Sequence, residues 1–279
     1  MKTYTHSSLV NYIQLFKNKF NFSKYNAKTA FHRFLNIKKK INNEFGFILT
    51  DKKILDIGCG QRYPYTYLFS NDNDVIGIDT DVPLLKHDIK TYLSIISNNG
   101  FNRFLKTFLR SIFLDKAYFK ELSRLGRVSK KINFKIIPMN AEELNFKNDS
   151  FDFVLSILSF EHFKNVEKCV EEMKRVLKVG GKFYVSIDLF SKLRGGHEIN
   201  PSRPWNHLLT KNFKSSVYLN KHRLNYFKKV FTSHFQTVKF TITENLVARS
   251  LLTPEIRNAL SDYSETELVM NPLIVIGEK

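Results

Sequence analysis

A glycine-rich turn and a later carboxylate are the residues of this chain whose types and spacing most clearly serve chemistry. The segment Lys53-Ile54-Leu55-Asp56-Ile57-Gly58-Cys59-Gly60 is an apolar run that enters the turn, and a second apolar run ends at Asp79. Glycines let a backbone pass close to a bound cofactor, and a carboxylate at the next strand tip accepts hydrogen bonds from a ribose diol. The pattern therefore predicts a strand–turn–helix–strand unit that binds a ribose-containing cofactor.

Alternating strands and helices must position these residues. Apolar runs predict strands over 53–58, 74–79, 134–139, 151–158, 182–189, 240–243 and 273–276. Helical periodicity predicts helices around 65–69, 167–177 and 224–235, the second of them closed by Gly180-Gly181. This order predicts an α/β, Rossmann-like, doubly wound sheet of seven mostly parallel strands with helices on both faces.

Two helical segments accompany the predicted sheet. Residues 4–45 have the spacing of two helices, so 1–46 is expected to be a helical cap and 47–279 the main domain. The connection after Asp79 is unusually long and predicts a helical insertion over 88–131, with phenylalanines and leucines interleaved with basic residues. A lid over the active site, an anchor on an anionic membrane surface and an ordinary docked helix pair all fit this pattern.

The chain is strongly basic, and its charge is clustered. The 279 residues carry a formal net charge of +18; residues 1–50 hold nine Lys/Arg against one Glu, and 88–131 hold ten against three Asp/Glu. Such charge suits nucleic acid, anionic lipid or a phosphorylated substrate, although a composition rich in Lys, Asn, Ile and Phe explains it as well. The lack of a membrane-spanning run or signal-peptide pattern, with only two cysteines, favours a cytoplasmic protein.

Several motifs, in order, resemble those of class I S-adenosylmethionine-dependent methyltransferases of the type 11-like group, over roughly residues 53–190. Asp56 inside the strand end distinguishes the turn from a dinucleotide fingerprint and matches motif I of that family. The segment 140–144, Asn-Ala-Glu-Glu-Leu, is similar to the family's Asp-Ala-Glu-x-Leu. The family's later signatures are matched by Phe151-Asp152-Phe153-Val154, Phe160-Glu161-His162-Phe163 and Arg175-Val176-Leu177-Lys178-Val179-Gly180-Gly181.

The resemblance implies S-adenosylmethionine as the cofactor; no metal is expected, because no Cys/His cluster has the spacing of a metal site. Motif I would line its methionine part, Asp79 its ribose and Asn140 its adenine. The implied cofactor contacts are Asp56, Gly58, Cys59, Gly60, Asp79, Thr80, Asn140, Ala141, Ile157 and Leu158. Two residues depart from the family pattern. Arg62 stands where a third glycine is frequent, a variant similar to a subset encoded with glycan and cell-surface biosynthesis, and Asn140 replaces an aspartate whose acceptor role its amide oxygen can keep.

Three side chains are candidates for catalysis, because a hydroxyl acceptor needs a base near neutral pH. His162 follows strand 4, at the sheet edge where open α/β sheets bind ligands. Asp188, at the tip of strand 5, is suited to orienting an acceptor hydroxyl, and His197 lies on the loop that should cross the acceptor pocket. Structural interpretations stay open: His162 as a packing residue, Asp188 as a solvated strand end, and Trp205 as a loop anchor instead of a sugar-stacking ring.

The expected function is O-methylation of a small molecule or of a sugar or glycan precursor. The alternatives are an RNA or other nucleic-acid methyltransferase, suggested by the charge, and a non-catalytic protein that binds the cofactor. Strand 4 reads Ser156-Ile157-Leu158-Ser159, where amino-directed nucleic-acid enzymes commonly have Asn/Asp-Pro-Pro-Tyr/Phe. We therefore expect a small-molecule or glycan acceptor, and no oligomeric state is predicted.

Overall fold

The computed structural model describes residues 7–81, 83–85, 87–129, 134–190, 205–210 and 218–279. Its helices are α1 (Ser7–Phe45), α2 (Pro64–Phe69), α3 (Ile89–Asn99), α4 (Phe101–Arg110), α5 (Lys116–Gly126), α6 (Val166–Val176), α7 (Asn206–Leu209), α8 (Leu224–His234), α9 (Leu246–Leu251), α10 (Pro254–Ala259) and α11 (Glu265–Val269). A π-helical turn covers Ser111–Asp115, and a 3-10 turn covers Phe160–His162. The strands are β1 (Lys53–Ile57), β2 (Asp74–Asp79), β3 (Phe134–Pro138), β4 (Phe151–Ile157), β5 (Leu177–Ile187), β6 (Thr237–Glu244) and β7 (Met270–Glu278).

The chain divides into two compact units. The first comprises Met1–Asp51 and Cys59–Pro138, and the second comprises Lys52–Gly58 and Met139–Lys279. The first unit contains β2 and β3, which pair in parallel from Val75↔Phe134 to Asp79↔Pro138.

The N-terminal part of the first unit is one continuous helix, α1, where the periodicity suggested two. Residues 7–45 contain no glycine or proline that would break a helix. The helix ends at Gly46, whose positive φ of 61° is the usual conformation after a helix C-terminus. Phe34, Ile37 and Ile41 lie buried along one stripe, and α1 packs against α5.

The predicted insertion is helical. Asp88 caps α3, accepting the Thr91 N–H at 2.7 Å. Aromatic contacts join α3 to α4: the ring of Tyr92 lies 5.5 Å from that of Phe104 and 5.6 Å from that of Phe108. The two helices therefore have an aromatic seam of their own.

The second unit contains a five-stranded sheet in the order β1-β4-β5-β7-β6. The first three strands are parallel, with pairs such as Ile54↔Phe153 and Ser156↔Val185, and β7 is antiparallel to both of its neighbours. Strand β4 is buried along almost its whole length, as expected for a strand covered on both faces. With β2 and β3, the described residues contain the seven mostly parallel strands of a Rossmann-like α/β fold, which confirms the predicted fold class.

The glycine pair 180–181 has a different role from the predicted one. Helix α6 ends at Val176, because Leu177 is already extended and pairs with Phe151 of β4. Gly180 lies within β5 with a φ of 74°, and its N–H donates to the carbonyl of Lys279 at 2.8 Å. The helix is thus terminated by strand pairing, not by glycine.

None of the helices that the structure describes is long and apolar enough to cross a membrane. Cys59 and Cys169 are both free and buried. Burial raises the pKa of the Cys169 thiol, so this thiol stays protonated at neutral pH.

Candidate functional site

The carboxylate of Asp79 is fixed against the glycine turn within the first unit. Its Oδ2 accepts the N–H of Gly60 at 2.9 Å, and its Oδ1 accepts the N–H of Asp81 at 2.9 Å. The Cys59 N–H donates to the carbonyl of Ile78 at 3.0 Å, which ties the turn to β2. An ionised carboxylate has about four lone-pair sites and only accepts hydrogen bonds, which is the role that a ribose diol requires.

In the second unit, Gly58 is held where only glycine fits. Its φ is 70°, and a Cβ placed on it would lie 2.6 Å from the Cβ of Ser159. The hydroxyl of Ser159 donates to the Gly58 carbonyl at 3.0 Å, and that of Ser156 donates to the Ile57 carbonyl at 2.8 Å. The two serines therefore position the exit of β1, next to the buried Asp56, a role that the sequence motifs did not reveal.

The other predicted cofactor contacts lie at strand ends. Cys59 is buried in the turn, and Thr80 is exposed directly after β2. Ile157 ends β4, and Leu158 follows it with a positive φ of 57° while its N–H donates to the Ser186 carbonyl at 2.7 Å. These placements agree with the strand-tip positions expected from the sequence.

The predicted adenine segment forms a small side-chain-capped turn. The Oδ1 of Asn140 accepts the N–H of Glu142 at 3.1 Å, and Ala141 is buried. An amide oxygen has a second lone pair, so this turn preserves one acceptor position on Asn140.

An ion pair on α6 holds the loop that follows the adenine segment. Glu172 accepts the N–H of Leu144 at 2.7 Å and two bonds from the guanidinium of Arg175 at 2.8 and 2.7 Å. Arg175 also donates to the carbonyls of Leu144 and Phe146, each at 2.7 Å. The Arg175 hydrogen bond, and secondarily the Leu144 N–H, hold the pKa of Glu172 below its usual value.

Replacing Glu172 by glutamine is expected to lower the free energy of unfolding by about 1–2 kcal/mol at neutral pH, because charge-assisted hydrogen bonds are lost. A lowered native pKa contributes stability above the unfolded pKa, and that stability is lost as the pH falls through the native pKa. The difference between wild type and variant should therefore shrink at acid pH. Urea titrations at several pH values measure it.

Glu171→Gln is the matched control, since its ion pair with Lys168 lies on the surface and should matter little. A Glu172→Gln deficit that persists unchanged at acid pH would contradict this account of the pair.

His162 is oriented by a backbone carbonyl. Its Nδ1 lies 2.8 Å from the carbonyl oxygen of Tyr218. Because a carbonyl only accepts, Nδ1 carries the proton, and Nε2 of the neutral ring holds the lone pair. Asn220 secures the same contact: its side-chain nitrogen donates to the carbonyls of Phe160 and Phe163 at 2.8 and 3.1 Å. The ring is thus held in the tautomer that a general base needs.

A pocket within the second unit gathers buried polar groups beside the end of β5. Asp188, Glu161 and His207 are 2%, 5% and 5% exposed. The full lining is Glu161, Asp188, Leu189, Phe190, His207, Leu219, Asn220, Lys221, His222 and Phe227. The pocket has about 10 Å³ of free space, roughly what one water molecule needs. It therefore holds polar groups, not a whole acceptor.

The pocket includes Asp188 but not His162, whose neighbour Glu161 lines it instead. His222 also lines it; burial lowers the pKa of this ring, which stacks on Tyr226 with ring centroids 3.8 Å apart. Glu161 could have been predicted as a site residue from its position next to His162 in the same motif, whereas no local sequence pattern points to His222. Of the two interpretations left open for Asp188, the solvated strand end is excluded, because the residue is buried.

Trp205 is a structural anchor. The indole is fully buried, and its Nε1–H donates to the carbonyl of Leu268 at 2.8 Å. It packs in an apolar cluster with Phe190 and Ala248, so it does not present a ring to a sugar. The third catalytic candidate, His197, lies outside the described residues.

Arg62, which replaces a frequent family glycine, has a definite partner in the first unit. Its Nε donates to Asp115 Oδ1 at 2.8 Å, and Arg110 Nε donates to Oδ2 of the same carboxylate at 2.9 Å. Arg110 also reaches the carbonyl of Gln61 at 3.4 Å, and the Arg62 guanidinium lies over the ring of Tyr118. The segment after the glycine turn is thereby joined to the π-helical turn of the insertion.

Comparison with known proteins agrees with the motifs. A family described as "Methyltransferase domain" matches residues 109–185, about a quarter of the chain, from the end of α4 into β5. This match supports the resemblance to class I methyltransferases, and with it S-adenosylmethionine as the cofactor.

Individual relatives match parts of the chain. An uncharacterized protein of Methanocaldococcus jannaschii is 33% identical over 117 residues, 42% of this chain and 54% of that protein. The ubiquinone/menaquinone biosynthesis C-methyltransferase UbiE of Rickettsia prowazekii is 41% identical over 64 residues, 23% of this chain and 25% of that enzyme. The chain thus spans about half or less of the length of these curated relatives.

Among solved structures, a Haemonchus contortus phosphoethanolamine N-methyltransferase 2 has a TM-score of 0.49 at 16% identity, over 95% of this chain and 60% of the other.

Proposed function

We propose that this chain, which resembles the class I methyltransferases, moves the methyl group of S-adenosylmethionine to a hydroxyl of a small molecule or of a sugar or glycan precursor. The observation that carries the proposal is the hydrogen bond from His162 Nδ1 to the Tyr218 carbonyl. It fixes Nδ1 as the donor, so in the neutral ring the lone pair is on Nε2, in the turn after β4. A hydroxyl acceptor needs such a base at neutral pH.

The glycine turn fits the cofactor. Gly60 has a φ of 72°, and the space that a Cβ would take is open. A larger residue would be strained there and would intrude into that space. When bound, S-adenosylmethionine supplies a methyl group activated by its positively charged sulfur. The residues that would hold it are Asp79 for the ribose and Asn140 for the adenine, with the turn at the methionine end.

On the acceptor side, His162 would take the hydroxyl proton on Nε2 as the oxygen attacks. Asp188 keeps its assignment as the group that would orient the acceptor hydroxyl; it is buried beside Glu161 and His207 in a pocket with room for about one water, so it would act from the pocket's edge or through that water. The undescribed His197 keeps its assignment as a further acceptor-side residue. Orientation and exclusion of water are the main contributions that a protein makes to a displacement of this kind.

Methylation at carbon is the second candidate, because the match to the C-methyltransferase UbiE points to that chemistry. A base would serve it as well, since loss of a hydroxyl proton makes the adjacent carbon of an enol or phenol nucleophilic. A nucleic-acid acceptor has weaker support, because the Ser156–Ser159 run lacks the amino-directed tetrad.

The test is to incubate the purified chain with S-adenosylmethionine and either small-molecule fractions, sugar nucleotides and lipid-linked glycans, or total RNA. We expect S-adenosylhomocysteine release and gain of one methyl group by a small-molecule or glycan acceptor. Fragmentation mass spectrometry then locates the methyl on oxygen or carbon. Methylation of RNA alone, or no S-adenosylhomocysteine above the level seen with Asp79→Ala, would overturn the proposal.

A further inference from the structure

The insertion carries large apolar side chains that the fold leaves exposed. On α4 and the π-helical turn they are Phe101, Leu105, Leu109, Ile112 and Phe113, with exposed fractions from 44% to 61%. On α3, Ile89 and Leu93 are 76% and 61% exposed. Contiguous apolar surface of this kind on a folded protein marks an interaction site, because its exposure to water is unfavourable.

The exposed residues of α4 form a row along one face. Phe101, Leu105 and Leu109 are four positions apart, the spacing that places side chains above one another on a helix. Packing between α3 and α4 uses other residues, the aromatic seam of Tyr92 with Phe104 and Phe108. The outer row is therefore not needed to hold α3 and α4 together.

The charge around this row is mainly positive. Residues 89–114 contain no Asp or Glu, while Lys90, Lys116 and Lys120 are exposed on α3 and α5. Three acids border this segment: Asp88 caps α3, Asp115 is buried between Arg62 and Arg110, and Glu121 is paired with Arg124. An apolar row with an excess of cations around it matches a bilayer interface with anionic headgroups, where leucine and phenylalanine enter the acyl boundary and lysine meets the phosphates.

We propose that α3, α4 and the π-helical turn form a docking surface for an anionic membrane. The surface consists of the row Phe101–Phe113 with Ile89 and Leu93, and of the flanking Lys90, Lys116 and Lys120. Neither an ordinary solvated helix pair nor a nucleic-acid site explains it, because both would expose polar side chains along the outer row. The inference does not depend on the proposed reaction.

Vesicle flotation with the full chain tests the surface. Wild type should bind vesicles of phosphatidylglycerol and phosphatidylcholine at low salt, bind pure phosphatidylcholine weakly, and lose binding at high salt. Leu105→Gln with Leu109→Gln should weaken binding at least about tenfold, because apolar area no longer enters the bilayer. Lys116→Gln with Lys120→Gln should weaken it about fivefold per lysine, and a change of exposed lysines leaves the fold intact.

The chain offers a matched control in Leu246→Gln with Val247→Gln. These α9 residues are 74% and 56% exposed, yet they lie outside the insertion, so vesicle binding should not change. Absence of binding to anionic vesicles at low salt, or equal loss in the control, would overturn the proposal. A further contrary result would be a wild-type protein that forms a dimer and does not bind vesicles, and that becomes a monomer on Leu105→Gln with Leu109→Gln. A second copy of the chain would then cover the row.

Discussion

Replacing His162 by alanine is expected to slow methyl transfer by about 10²–10⁴-fold while leaving the affinity for S-adenosylmethionine unchanged. That factor is the usual contribution of a positioned general base. The Nδ1 hydrogen bond to the Tyr218 carbonyl leaves Nε2 to accept the proton. Turnover of the identified acceptor and calorimetry with the cofactor are the two measurements, and they should respond differently.

A conservative variant separates the base from a packing role. The side-chain amide of His162→Gln can still donate to the Tyr218 carbonyl, but it cannot accept the substrate proton at neutral pH. If His162 acts as the base, this variant stays as slow as alanine. Recovery of wild-type turnover in His162→Gln would instead assign the residue to structure. His32→Ala, on an exposed position of α1, controls for loss of a histidine.

Replacing Asp79 by alanine is expected to weaken S-adenosylmethionine binding by about 1.5–3 kcal/mol, or about 10- to 150-fold, the contribution of hydrogen bonds to a charged group. Two effects add. The ribose hydroxyls lose their acceptor, and the Gly60 N–H loses the carboxylate that holds the turn at 2.9 Å. Isothermal titration calorimetry with the purified chain measures the change directly.

Asp74→Ala is the matched control for this measurement, since Asp74 begins the same strand at its opposite, exposed end. Circular dichroism should show the same secondary structure in both variants. An Asp79→Ala chain that binds the cofactor as tightly as wild type would contradict the assignment of the ribose acceptor. A wild-type chain that gives no heat with millimolar cofactor would remove the basis of the site.

What the sequence by itself determined is local. The strands β1 and β2, the positive-φ positions Gly58 and Gly60, and the acid at position 79 follow from short apolar runs, from glycine's conformational freedom and from spacing along the chain. Helical periodicity likewise identified the insertion over 88–131. These features can be predicted without knowledge of distant residues, because their signals lie in short stretches of sequence, although β1 and β2 themselves pair with strands far along the chain.

What only the tertiary structure decided involves partners far apart in the chain. Trp205 is an anchor because the Leu268 carbonyl accepts its N–H, and Arg62 is held in place because Asp115 of the insertion accepts its hydrogen bond. The tautomer of His162 depends on the carbonyl of Tyr218. Neither propensity nor period contains such information, since burial and long-range hydrogen bonds depend on which segments the packed chain brings together. The same packing decided that the outer row of α4 stays exposed instead of entering the core.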